Sequence, residues 1–129
     1  MNKQVLKQIE ALKVGALIRV DWTDASIGKS LSGGLHGIDV PVISVGIFIG
    51  VLGEKNKHLI LGQNHFRYAD GLYDIDYTAV PVSWAVKIAV IEQNHLAPEE
   101  ANQLVTSFLM GGRRQMPRLK QQRMINHAK

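Results

Sequence analysis

The chain has 129 residues, of which 46% are hydrophobic and 20% charged, with no cysteine and a formal charge of +4. That is enough apolar material for one domain core, and it excludes a compositionally disordered chain, most multidomain enzymes, a disulfide scaffold, thiolate metal sites and a cysteine nucleophile. The opening Met1-Asn2-Lys3-Gln4 lacks the apolar core of a secretory signal, so the expected compartment is the cytoplasm. The longest uncharged apolar run, Val40 to Gly53, spans 14 residues where a membrane helix needs about 20, so it reads as a core segment and no membrane partner is expected.

In chain order, residues 3 to 13 place Val5, Ile9 and Leu12 on one face with Leu6 beside them, the spacing of an amphipathic helix that Gly15 stops. From Ala16 to Trp22 the period changes to two, with Ile18, Val20 and Trp22 on one side and Arg19 and Asp21 on the other, which predicts a first strand. Residues 23 to 40 hold four glycines, three serines and two aspartates without a sustained period and read as a long loop. A second strand follows from about Ile43 to Leu52, where Gly46 and Gly50 suggest a bend or bulge. Gly53-Glu54-Lys55-Asn56 is a turn, and Lys57 to Leu61 is the return strand of a hairpin.

Asn64 to Gly71 reads as a loop of interleaved polar and aromatic residues. Tyr73-Asp74-Ile75-Asp76-Tyr77 alternates as a strand with its two aspartates on the opposite side from Tyr73, Ile75 and Tyr77. Pro81 interrupts the pairing and Val86 to Ile91 resumes it as the fifth strand. Pro98-Glu99-Glu100 opens a second helix, whose apolar face is Ala101, Leu104, Val105, Phe108 and Leu109 and which Gly111-Gly112 ends. Pro117 could start a further helix through Ile125, ordered on a partner. The expected buried set is Val20, Trp22, Ile47, Ile49, Leu59, Leu61, Ile75, Ile88 and Val90.

Two features carry a family likeness: the segment Val80-Pro81-Val82-Ser83-Trp84-Ala85-Val86, which looks like a short helical turn between the last two strands, and the glycines Gly46 and Gly50 in strand two. On these residues and the order of elements, residues 3 to 91 resemble the small SH3-like and Sm-like barrels. The resemblance implies a mainly β, α+β fold: a five-stranded small barrel with an N-terminal helix, and a C-terminal helix plus basic tail. It places a small-barrel domain with flanking helices in residues 1 to 110 and the tail in residues 111 to 129. The arginine-glycine pair of the Sm signature is not present, since Leu59-Ile60-Leu61 is followed by Gly62-Gln63-Asn64, so that family's RNA pocket is not implied.

Complete catalytic motifs are absent. Gly28-Lys29-Ser30 resembles the end of a phosphate-binding loop, but the first glycine of that motif is replaced by Thr23. Asp21 and Asp24 are better read as a solvated strand residue and the start of an Asx-type turn with Ser26. His36, His58, His65, His95 and His127 show no metal-binding spacing, and Asp74 with Asp76 reads as a solvated acidic strip. No nucleophile, base and orienting group occur together, so the expectation is a protein that is not an enzyme, with no cofactor and no metal.

Charge placement points to a partner instead. Residues 1 to 110 hold nine cations against eleven acids, a balance of −2, whereas the last nineteen residues hold six cations and no acid. A weakly acidic body with a basic arm suggests nucleic acid, DNA or RNA, bound with little sequence preference through Arg113, Arg114, Arg118, Lys120 and Arg123, with Gly111-Gly112 as the hinge. Lys55, Lys57 and His58 at the hairpin, and Arg67 beside Phe66 and Tyr68, are expected secondary contacts, the aromatics offering faces on which bases stack. The alternative expectation is a homo-oligomeric assembly or adaptor module, joined through strand edges and apolar helix faces that one small barrel leaves uncovered.

Overall fold

The computed structural model describes residues 2–24 and 40–111. Its elements in order are helix α1 (Lys3–Glu10), strands β1 (Leu17–Asp24), β2 (Val40–Leu52), β3 (His58–Arg67) and β4 (Tyr73–Pro81), a single 3₁₀ turn (Val82–Trp84), β5 (Ala85–Glu92) and helix α2 (Pro98–Leu109). Most of the expected long loop, with Gly28-Lys29-Ser30, Ser26, His36 and Asp39, lies outside the described residues, as do the tail cations, His127 and the expected helix from Pro117.

The five strands form one antiparallel sheet in the order β4-β3-β2-β1-β5, so the fold is α+β with five strands and two helices, as the sequence suggests. Strands β4 and β5 are its edges, and no ladder among the described residues joins them, so the sheet is open. The 13-residue β2 is shared between two ladders: Val40 to Ile47 pairs with β1, and Ile47 to Leu52 pairs with β3. The register shifts between Phe48 and Gly50, a bulge at one of the two glycines that the sequence marks for bending.

The sheet buries side chains on both faces. One cluster gathers Ile18, Val20, Trp22, Phe48, Leu59, Leu61, Val80 and Ile88, closed by Val5, Ile9 and Leu12 from α1 and the turn after it. The other gathers Ile47, Ile49, Ile60 and Tyr73 beneath Leu104, Val105 and Phe108 of α2. Ile47 and Ile49 therefore belong to the second face and not to a single interior shared with Val20 and Leu59. Period-two alternation fixes which residues share a face but not which face a helix will cover.

Asn2 caps α1, its side-chain oxygen accepting from the Gln4 and Val5 amides at 2.9 and 3.4 Å. The helix ends at Glu10, before the expected Lys13, and Gly15 has a different task. With φ at +93°, Gly15 donates its amide to the Phe48 carbonyl and accepts from the Leu96 amide, and a Cβ there would lie 2.9 Å from Ala101 Cβ.

Each edge strand gives one backbone amide to the helix packed on it. Ile88 N–H of β5 donates to Gln8 Oε1 at 3.0 Å, and Tyr73 N–H of β4 donates to Ser107 Oγ at 3.3 Å.

Other expectations need correction. Asn64 to Arg67 is not loop: it continues β3 past a bulge at Gln63, pairing His65 with Ile75 and Arg67 with Tyr73. A polar run serves as strand here because the partner strand satisfies its backbone. Asp24 ends β1 opposite Val40, with 2% of its surface exposed, and its expected turn with Ser26 lies outside the described residues. Val90, expected inside, is 44% exposed. An edge strand has one neighbour only, and burial falls away within one pleat of Ile88, where α1 docks. Ile75 is half-buried.

Candidate functional site

The turn joining β2 to β3 needs glycine at Gly53, whose φ is +121° and where a Cβ would collide with the Asn56 carbonyl. The turn presents Lys55 and Lys57 at its tip, and the Lys57 carbonyl accepts the Val82 amide at 3.0 Å. That single bond ties the hairpin to the 3₁₀ turn between β4 and β5. His58 Nδ1 lies 2.9 Å from the Asn56 carbonyl; a carbonyl only accepts, so Nδ1 carries the proton and Nε2 is the nitrogen left for a ligand.

Between the hairpin and the 3₁₀ turn runs a groove of about 470 Å³, with Lys55, Lys57 and His58 on one wall and Pro81, Val82 and Trp84 on the other. Trp84 is 38% exposed and stacks on Trp22, with ring centroids 6.3 Å apart and planes inclined by 16°. Trp22 is buried, and its Nε1–H donates to Ser44 Oγ at 3.0 Å. Glu54 shares the turn, so the tip carries two lysines against one carboxylate.

Three of the expected contacts, Lys55, Lys57 and His58, are thus brought together, and Trp84 joins them. In the sequence Trp84 is visible only as part of the proline-containing turn; the clue to its role is the pairing of that turn with the hairpin, which spans 25 residues of chain. Arg67 and Tyr68 do not join this groove. They lie at the other end of β3, nine residues from His58, about 30 Å of strand contour by the rise per residue. Their surroundings are acidic: Tyr68 donates its hydroxyl to Asp74 Oδ2 at 2.8 Å, and Asn64 Nδ2 contacts Asp76 Oδ2 at 3.4 Å.

A second groove, of about 400 Å³, opens there between β4 and α2, lined by Phe66, Asp74, Asp76, Tyr77, Phe108 and Gly111. Tyr77 meets Phe108 edge to face, with centroids 5.2 Å apart.

His65 packs edge-on against Tyr73 at 6.4 Å, and its Nε2 is buried without a hydrogen bond among the described residues. Burial lowers its pKa below the usual imidazole range, opposed in part by the negative charge of Glu100. A Cβ on Gly62 would strike His65 Nε2, so glycine at the bulge makes room for the ring. His95 lies 2.7 Å from Glu92, and Arg19 is paired with Asp21 at 2.9 Å. Among the described residues no group of three or more His, Asp or Glu side chains is placed to hold a metal, and no helix is long and apolar enough to cross a membrane. The chain matches no protein-family model, no curated protein and no solved structure.

Proposed function

We propose that the protein binds nucleic acid and is not an enzyme, with the groove at Lys55, Lys57, His58 and Trp84 as a contact surface on the body and Arg113, Arg114, Arg118, Lys120 and Arg123 as a phosphate clamp. The observation that carries this reading is the meeting of two lysines with an exposed tryptophan across one groove. Cations neutralise backbone phosphates without reading sequence, and an aromatic face takes any base. We further propose that the sheet wraps as a small barrel of the SH3-like or Sm-like kind. In support, β2 serves two ladders around a bulge, and one 3₁₀ turn links the two edge strands.

Fluorescence anisotropy with labelled single- and double-stranded oligonucleotides at two or three salt concentrations tests the binding. The expected result is salt-dependent binding, weakened alike for both strand types by changing Arg113, Arg114 and Arg118 together to alanine. No binding by the unmodified protein at low salt, or equal binding by the triple variant, would overturn the clamp.

A second reading, a homo-oligomeric assembly module, is favoured by exposed apolar side chains on the strands: Ile43, Val45, Val86, Val90 and Ile91. The helix faces expected to contribute are turned into the two core clusters instead. Light scattering at micromolar concentration reads the mass directly; a monomer removes this reading.

A further inference from the structure

The groove between β4 and α2 has the opposite character to the hairpin groove. It combines two carboxylates, Asp74 and Asp76, with the rings of Phe66, Tyr77 and Phe108, and Phe66 and Tyr77 are each more than half exposed. Gly111, the last described residue, is itself part of the lining. Phe66 shares the face of its ladder partner Asp74, while Tyr77 meets Phe108 on the face that α2 covers, so the groove wraps the β4 edge. Exposed rings beside carboxylates suit a guanidinium above other cations, because the planar group stacks on a ring while its N–H fork donates to a carboxylate. The two carboxylates disfavour a phosphate there.

The residues that follow Gly111 supply such groups. Arg113 and Arg114 stand two and three positions beyond it, within about 7 to 11 Å of extended chain, and Arg118 follows with no acid anywhere after Glu100. We propose that this groove seats the chain's own arginine segment, Arg113 and Arg114 first, stacked on Phe66 or Tyr77 and paired with Asp74 and Asp76. The tethering makes the contact intramolecular, so weak individual pairs suffice to populate it. In the setting of the proposed function, the arginines that clamp phosphates have a resting place on the body, and a polyanion must draw them off it. That consequence rests on the nucleic-acid reading; the docking itself does not.

The test is made on the full-length protein without nucleic acid. Nuclear Overhauser contacts are expected between the Hδ protons of Arg113 or Arg114 and the ring protons of Phe66, Tyr77 or Phe108, together with shifted Nε–Hε signals for both arginines. Both should vanish in the double variant Asp74→Asn/Asp76→Asn, whose melting curve checks its fold, and in the unmodified protein at 1 M salt. Absence of these contacts in the unmodified protein at low salt overturns the proposal whatever the variant does. Contacts appearing only between labelled and unlabelled copies in a mixed sample also overturn it, and assign the groove to a second copy's tail. In a separate anisotropy titration the double variant should bind a single-stranded oligonucleotide about two- to fivefold more tightly, the range of one or two exposed ion pairs released. If the protein binds no oligonucleotide while the contacts are present, the nucleic-acid reading fails and the docking stands.

Discussion

Trp84 lies almost parallel to Trp22, one ring exposed and the other buried, and Ser44 holds the buried ring by its indole nitrogen. The exposed ring is therefore backed by an anchored one, and little rotamer freedom is left to lose when a ligand stacks on it. Trp84→Ala should weaken single-stranded oligonucleotide binding by about 1–3 kcal/mol, the range of one base stack, with little loss of stability. Trp22→Ala should instead cost about 3–5 kcal/mol of folding free energy, as for other buried aromatics. Anisotropy and urea unfolding measured on both variants separate the two roles. Equal binding by Trp84→Ala removes the ring from the contact surface.

Lys55 and Lys57 should act through charge alone. Because Val82 is held by the Lys57 carbonyl and not by its side chain, Lys57→Ala keeps the hairpin tied to the 3₁₀ turn. The double variant Lys55→Ala/Lys57→Ala should melt like the unmodified protein and flatten the plot of log affinity against log salt by roughly one for each phosphate it no longer neutralises. An unchanged slope would place these lysines outside the interface.

His65 makes stability depend on pH. Its pKa is lowered in the folded chain by burial, so the unfolded chain takes up the proton first as pH falls. Stability should be complete above about 6.5, the unperturbed value, and should decline as pH drops from there toward the folded value. Urea midpoints for the unmodified protein and His65→Gln, compared between pH 7.5 and 5.5, lie above the range where carboxylates titrate. The unmodified protein should lose midpoint on acidification and the variant should lose less; parallel declines would clear His65 of the effect.

Two residues one pleat apart on β5 should differ sharply. Ile88 is buried in the cluster beneath α1, and Ile88→Ala should cost about 2–5 kcal/mol. Val90, half exposed, should cost no more than about 0.5 kcal/mol on the same change. Chemical unfolding of both variants checks the strand's register, and similar losses would mean that Val90 is covered.

Residue periodicity was sufficient to place Ile18, Val20 and Trp22 on a buried strand face and to start α2 at Pro98, because those patterns depend on neighbours only a few positions away. It was insufficient where burial depends on distant elements. Ile47 and Phe48 point to opposite faces, and both are buried, since each face has its own helix. Asn64 to Arg67 looks like loop until β4 supplies the ladder. The same holds for function. The cations of the hairpin are plain in the chain, but Trp84 acquires its place beside them through the pairing of His58 with Pro81, the bond between Lys57 and Val82 and its stacking on Trp22. Arg67 and Tyr68, which read as more of the same basic and aromatic surface, are separated from the hairpin by the length of β3 and stand beside acids.

The amides of Ile88 and Tyr73, taken by Gln8 and Ser107, bear on how this chain avoids sticking to itself. An uncovered edge strand is a template for a strand from another molecule, and here each edge has an amide already spent on a helix side chain. The two helices are the first and last described elements, so they stand as bookends to the sheet. Losing α1 would unmask an edge and an apolar face in one step, and losing α2 would do the same on the opposite side. A nascent or clipped chain lacking either helix is therefore more exposed to strand exchange and fibrous aggregation than the chain with both helices in place, where one amide of each edge is already taken.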